Sequence, residues 1–262
     1  MCEDSLFVIT GASRGFGKQA ALACATTIKN AYYILVARNE KNLNATKAEM
    51  LKINANAHIR VYVCDFALVD TMDASIASLC EEATKFAATF KKAVLINNHG
   101  TIGTIDWFEN LGGPASVMET YMAINYTSFF QLTNKFSSFF KTRAETVVLV
   151  NISSLCAVQA TENYAHYCPA KAARDMLYEV LGKEADTQKT AIRTLNYAPG
   201  PMNTDMGKRV RLETKAGSLK AQFEKIEAEN QYVDPYESSI KMLGLLTNDK
   251  FKNGQHIDYY DI

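Results

Sequence analysis

Tyr167 and Lys171 stand four residues apart in the string Tyr-Cys-Pro-Ala-Lys, and Ser154 precedes Tyr167 by thirteen residues. On a helix that spacing stacks phenol and amine on one face, a single turn apart. An ammonium beside a phenol favours the phenolate and is expected to lower a pKa that starts near ~10. Such a phenol can hand a proton to a carbonyl oxygen that is receiving hydride. Ser154 ends an apolar run and can hydrogen-bond the same oxygen, stabilising its developing charge. Asn125 lies in a long helical pattern and can anchor a water that passes protons to the lysine. With 13 tyrosines, one Tyr-x-x-x-Lys is unsurprising by chance. The Ser153-Ser154 pair and a glycine turn far upstream argue against chance. Ser153 is read as structural. Pro169 fits only if Tyr167 opens its helix, because a deeper proline would lose a backbone bond.

The glycine turn reads Thr-Gly-Ala-Ser-Arg-Gly-Phe-Gly over residues 10–17. It follows the first apolar run and opens a helical pattern, where bare backbone and helix N–H groups can meet a pyrophosphate. The spacing Gly11, Gly15, Gly17 is not the Gly-x-Gly-x-x-Gly of the commonest fingerprint, and glycines alone also simply make tight turns. Ser13, Arg14 and Phe16 lie within the turn. The second strand ends in Ala37-Arg38-Asn39, without the acid that usually holds a ribose hydroxyl in an NAD enzyme. Arg38 can instead fork onto a 2′-phosphate, with Arg14 as a second positive charge, which favours NADPH over NADH. Asp65, at the third strand end, can accept a bond from the adenine amino group. Asn97-Asn98-His99-Gly100 ends the fourth strand, and Asn98 joins the candidate cofactor contacts. Asp65 and the Asn pair also read as plain turn formers.

These groups need a scaffold that brings strand ends together. Strand patterns run over 6–10, 32–37, 59–64, 94–96, 147–152, 192–197 and 256–259. Helical patterns fill 15–29, 40–53, 70–89, 115–141, 165–185 and 235–246. The alternation predicts an α/β fold, with helices on both faces of a parallel sheet. Strands that are apolar throughout fit a sheet covered on both sides. No composition break divides residues 1–262, so one domain is expected. The segment 202–230 is rich in Lys, Glu and Gln and breaks the rhythm. It is expected to be helical, either as a solvated insertion or as a lid over a pocket.

Composition excludes other classes. A 48% hydrophobic and 21% charged chain of zero net charge is an ordinary globule with no pull toward nucleic acid or anionic membrane. The acidic start and the short apolar run after it do not read as a signal peptide. No apolar stretch is long enough to span a bilayer. Cys2, Cys24, Cys64, Cys80, Cys156 and Cys168 form no Cys-x-x-Cys pair, which predicts reduced thiols in a cytoplasmic protein. The four histidines show no ligand spacing, so no metal is expected.

Residues 10–17, 97–100, Asn125, Ser154, Tyr167, Lys171 and Pro199-Gly200 together resemble the short-chain dehydrogenase/reductase family, over nearly the whole chain and in the family's order. The resemblance implies a doubly wound, seven-stranded Rossmann sheet and hydride transfer from a nicotinamide. It gives Ser154, Tyr167 and Lys171 the roles argued above, lays Pro199 and Gly200 against the nicotinamide, and puts Thr204 near its carboxamide. Longer strings at 151–157, 167–176, 195–201, 204–206 and 251–258 are similar to a branch that reduces pterin side-chain carbonyls with NADPH, in tetrahydrobiopterin formation. That similarity implies that Asp258 anchors the pterin ring, whose amino group and ring N–H one carboxylate can accept together. Ile102, Tyr164, Cys168 and Met206 align with pocket-lining positions. Strand periodicity is expected to put His256, Asp258 and Tyr260 on one face. His99 and Pro169 depart from the family pattern, and His99 is expected to crowd the adenosine side. The resemblance also implies a homodimer paired through the 115–141 and 165–185 helices, which carry Phe129, Phe130, Phe136, Phe139 and Phe140. Two other readings share these residues: a sister reductase of dicarbonyls, steroids or other ketones, and a non-enzymatic NADPH sensor. The sensor is disfavoured because Tyr167 and Lys171 are both present.

Overall fold

The computed structural model describes residues 4–262, so Cys2 lies outside the described residues. Seven strands form one parallel sheet: β1 (Ser5–Thr10), β2 (Ala31–Ala37), β3 (His58–Val63), β4 (Phe90–Asn97), β5 (Ala144–Ile152), β6 (Ile192–Ala198) and β7 (Gln255–Asp258). Their order is β3-β2-β1-β4-β5-β6-β7. The order reverses between β1 and β4, and in such sheets a crevice opens there, outside the strands' carboxyl ends.

The helices are α1 (Gly15–Thr27), α2 (Glu40–Ile53), α3 (Val69–Thr84), α4 (Ala115–Met122), α5 (Ser128–Phe140), α6 (Tyr167–Gln188), α7 (Asp205–Glu213), α8 (Gly217–Ala228) and α9 (Pro235–Asn248). Strand side chains alternate between two cores, because successive residues point to opposite faces. Phe7, Ile9, Tyr33 and Leu35 pack toward α1, α2 and α9. Leu6, Val8, Ile34 and Val36 pack toward α3, α5 and Tyr178 of α6. Each such side chain contributes about 1.5–3 kcal/mol of burial.

The structure changes three element assignments. The pattern over 115–141 is not one α-helix: α4 and α5 are joined by a π turn at Ala123–Thr127. The 70–89 pattern ends as a helix at Thr84, because the chain must turn before Phe90 starts β4. β7 stops at Asp258, and a 3₁₀ turn over Tyr259–Asp261 replaces the expected extension. The period-two argument therefore ends at Asp258, and Tyr260 is turned to solvent. The segment 202–230 is helical as expected, built from α7 and α8. Of the five phenylalanines, Phe129, Phe136 and Phe140 are buried against the sheet, and only Phe130 is exposed. Among the described residues no helix is long and apolar enough to cross a membrane.

Candidate active site

Ser154 stands two residues past the end of β5. Its hydroxyl caps a single turn at Leu155–Ala157 by accepting from the Cys156 N–H at 3.2 Å. Tyr167 is the first residue of α6, and Pro169 is the third, where the missing N–H would have had no helical partner. Lys171 comes one turn later. Its Nζ donates to the Ile152 carbonyl at 2.5 Å and lies 5.5 Å from the centre of the Tyr167 ring. The Ser154 hydroxyl is near enough to the Tyr167 phenol to favour its ionised form. The strand end and the helix start thus bring hydroxyl, phenol and amine together.

The electrostatics overturn one expectation. Burial raises the Tyr167 phenol above its ordinary value, and nearby Cys156 adds to the rise, while Arg174 and Ser154 oppose it. Burial and the neighbouring Arg174 charge push the Lys171 amine well down, against the pull of Asp175. Desolvation is the largest cause of the shift in each group. Tyr167 is therefore held as the neutral phenol, which is the form that donates a proton.

Sequence reasoning missed the two residues that fix this helix. Arg174 is fully buried. It donates to the Asn97 carbonyl at 2.7 Å, to the His99 carbonyl at 2.9 Å and to the Asn151 side chain at 2.9 Å. Its guanidinium also lies 4.1 Å from the centre of the Phe129 ring. Asp175 accepts from the Ser153 hydroxyl at 2.6 Å, from the Asn151 amide at 2.8 Å and from His256 Nδ1 at 2.6 Å. These bonds pin α6 to the ends of β4, β5 and β7. The signal was available: Arg174 and Asp175 stand three and four residues after Lys171, on its helix face. Ser153 is structural, as expected.

Asn125 sits within the π turn, a distortion frequent at functional sites. Its Oδ1 accepts from the Thr101 N–H and its Nδ2 donates to the Tyr121 carbonyl, both at 2.9 Å. A Cβ at Gly100 would come within 2.9 Å of that Oδ1, so a side chain there would push Asn125 from its place.

At the nucleotide end, Gly11 and Gly15 have φ of +65° and +55°, a region where other residues are strained. A Cβ on Gly17 would meet the Asn98 amide at 2.4 Å and the Gly11 carbonyl at 2.5 Å. The turn is therefore bare backbone. Arg14, the residue before α1, contributes no capping bond, which leaves the first-turn N–H groups of α1 facing outward. A backbone cradle at a helix N-terminus fits the pyrophosphate of a dinucleotide. Asn98 braces this cradle, donating from Nδ2 to the Thr10 carbonyl at 2.9 Å. Ser13 is half-buried within the turn. Phe16 is buried against Tyr197, so only its backbone can face a ligand. Arg38 is exposed and sits 3.9 Å from Asp65, whose other oxygen accepts from the Ala67 N–H. Asn39 caps α2. Arg14 pairs with Asp205 at 2.7 Å, both exposed, so its charge is shared with α7. The His99 ring does not crowd the adenosine side as expected. It is buried, bonded to Thr10 and Ser128 and stacked on Phe66 at 4.1 Å.

Across the crevice, Gly200 has φ +84° beside half-buried Pro199, and Thr204 caps α7 opposite Gly15. Ile102, Tyr164, Cys168 and Met206 come together with Tyr167, Cys156, Val210 of α7 and Leu219 and Phe223 of α8 in one apolar cluster. The 202–230 segment is bonded to its neighbours beside it. Asn163 Oδ1 accepts from the Lys215 and Ala216 N–H groups at 2.9 and 2.7 Å, Lys215 pairs with Asp106, and Arg209 reaches the Gly103 carbonyl. Asp258 is half-buried at the end of β7 beside Ala198, and its carboxylate accepts from the Tyr260 N–H at 3.1 Å.

The model of one family, short chain dehydrogenase, matches residues 5–215. The chain belongs to the short-chain dehydrogenase family. It is an oxidoreductase, and the seven-stranded, doubly wound sheet is this family's fold. Members bind NAD(P)(H), as the cradle just described allows. The chain is 34% identical to a sepiapterin reductase of Rattus norvegicus over 258 residues, covering 97% of this chain and 96% of the relative. It is 35% identical to the sepiapterin reductase of Xenopus tropicalis over 259 residues, covering 98% and 96%. Among solved structures it is similar to a short chain dehydrogenase of Escherichia coli CFT073 complexed with NADPH. That match has a TM-score of 0.78 and 20% identity, over 98% of this chain and 97% of the other.

Proposed function

We propose that this dehydrogenase uses NADPH to reduce the side-chain carbonyls of pterins, sepiapterin among them, in tetrahydrobiopterin formation. The observation that carries the reading is the packing of Tyr167 against an apolar cluster that includes residues of α7 and α8, in a chain about one-third identical to sepiapterin reductases over 97% or more of its length.

The substrate's carbonyl oxygen takes a hydrogen bond from Ser154 and the proton of Tyr167. Keeping the phenol neutral by burial suits it to donate in this direction. Lys171, fixed on the Ile152 carbonyl, and Asn125 in its π turn serve the return of that proton from solvent. NADPH supplies the hydride when bound. The backbone of Gly11, Ser13, Arg14, Gly15, Phe16 and Gly17 would hold its pyrophosphate. Arg38, with Asn39 beside it, would meet the 2′-phosphate, Asp65 the adenine, and Pro199, Gly200 and Thr204 the nicotinamide. Asn98 would act through the turn that it braces. Ile102, Tyr164, Cys168 and Met206 would wall the pterin, with Asp258 as its polar anchor. The 202–230 helices act as a lid whose ties to Asn163, Asp106 and Gly103 open and close.

The protein works in the cytoplasm as a homodimer. Phe130 on α5, with Met176 and Val180 on α6, supports this reading as exposed apolar residues on the two helices expected to pair. A panel of sepiapterin, an aromatic dicarbonyl and a steroid ketone, each with NADPH and NADH, tests the assignment. The expected result is the highest kcat/KM with sepiapterin and NADPH. A clear preference for the dicarbonyl would instead assign the protein to general carbonyl reduction.

A further inference from the structure

We propose that Cys156 and Cys168 form an oxidation site in which a hydroperoxide joins the two thiols as a disulfide and reversibly stops the reductase. The two residues are twelve apart in sequence but pack against the same apolar cluster. Cys156 sits in the turn after Ser154, and Cys168 is the second residue of α6. Both pack against the pocket cluster and both are partly exposed. Each thiol is near enough to shift the ionisation of the other. Cys156 Sγ also lies 3.4 Å from Thr161 Oγ1.

The pair differs from the remaining described cysteines. Cys24, Cys64 and Cys80 are buried, and burial pushes Cys64 and Cys80 up to about 11 and about 12. Cys156 is shifted the other way, by Cys168, by Thr161 and Ser154, and by the Lys171 charge. It is therefore the better attacking thiolate. In the first step Cys156 sulfur attacks the terminal oxygen of a hydroperoxide, the O–O bond breaks, and the alcohol or water leaves with one proton. Cys156 is then a sulfenic acid. In the second step Cys168 sulfur attacks Cys156 sulfur, the S–O bond breaks, and water leaves with the thiol proton. The peroxide takes up the two electrons that the thiols lose.

The consequence follows from position. Cys156 N–H bonds the Ser154 hydroxyl, and Cys168 is the neighbour of Tyr167. A covalent link between these backbones moves both proton-handling groups, and the glutathione of a reducing compartment restores them. The switch acts whichever carbonyl is the substrate.

The test treats the full chain, with and without NADPH, with hydrogen peroxide in modest excess, then alkylates and maps its peptides. The expected product is one peptide pair linked through Cys156 and Cys168, with Cys64 and Cys80 left as thiols. Reductase activity should fall about tenfold in parallel and return with dithiothreitol. Cys156→Ser and Cys168→Ser are each compared with their own untreated rate, and each should lose far less. The proposal is overturned by an unlinked parent, by sulfinic acid at Cys156 without a crosslink, or by Cys156→Ser losing the same fraction as the parent. The peptide map stands even if a variant folds poorly.

Discussion

The carboxylate of Asp175 accepts the Ser153 hydroxyl at 2.6 Å, one residue before Ser154 and eight after Tyr167. One buried group therefore ties the strand end that carries the serine to the helix that carries the phenol. Removing its charge should disturb the distance between Ser154 and Tyr167 without touching substrate. Asp175→Asn is predicted to lower kcat more than it raises KM, and to cost about 1–3 kcal/mol of stability as its partners lose an acceptor. Steady-state kinetics with urea unfolding checks both. A pure stability loss with unchanged kcat would leave Asp175 a folding residue only.

Cofactor choice is predicted to rest on Arg38. Replacing a guanidinium that bonds a phosphate removes about 1.5–3 kcal/mol. Arg38→Asp should therefore weaken NADPH by roughly ten- to a hundredfold while changing NADH little. Fluorescence titration with both nucleotides reads this directly. An unchanged ratio would move 2′-phosphate recognition elsewhere.

Asp258→Ala is expected to raise KM for a pterin about tenfold or more, with NADPH affinity unchanged. The aspartate already holds the Tyr260 N–H, so the Asp258→Asn variant separates the two roles. It keeps the turn while losing the charge. Equal pterin kinetics in both variants would dismiss the anchor.

The histidines give opposite pH signatures. His256 is raised above its ordinary value chiefly by its bond to Asp175. Its charged pairing therefore stabilises the fold fully below ~6.5, and that contribution fades as pH rises through the higher folded value. His99 is driven well down by burial, helped by Arg174 and Lys171. The fold keeps it neutral, so stability falls as acid protonates the unfolded chain below ~6.5. His256→Asn should be further below the parent in stability at about pH 6 than at about pH 9. A deficit that does not change with pH would mean that His256 pairs only as a neutral ring.

The strands were legible because both faces of the sheet are covered, which writes them as unbroken apolar runs such as Leu6 to Ile9. The Tyr167–Lys171 face was legible because helix geometry is periodic. What one dimension hides is burial and path. The phenol shifts away from the expected direction because its surroundings, not its spacing, set the desolvation. The π turn at Asn125 and the stop of β7 at Asp258 are departures from period that no local pattern marks. His99 looked like an intruder on the cofactor side, yet Thr10 and Ser128 from two distant segments turn its ring inward.

The central claim is tested most directly by following the loss of sepiapterin absorbance with NADPH, for the parent and for Tyr167→Phe. The predicted result is steady turnover by the parent and a loss of about a hundredfold or more in kcat for the variant, with NADPH still bound. No turnover of sepiapterin by NADPH-bound parent, or equal rates in both proteins, would contradict it.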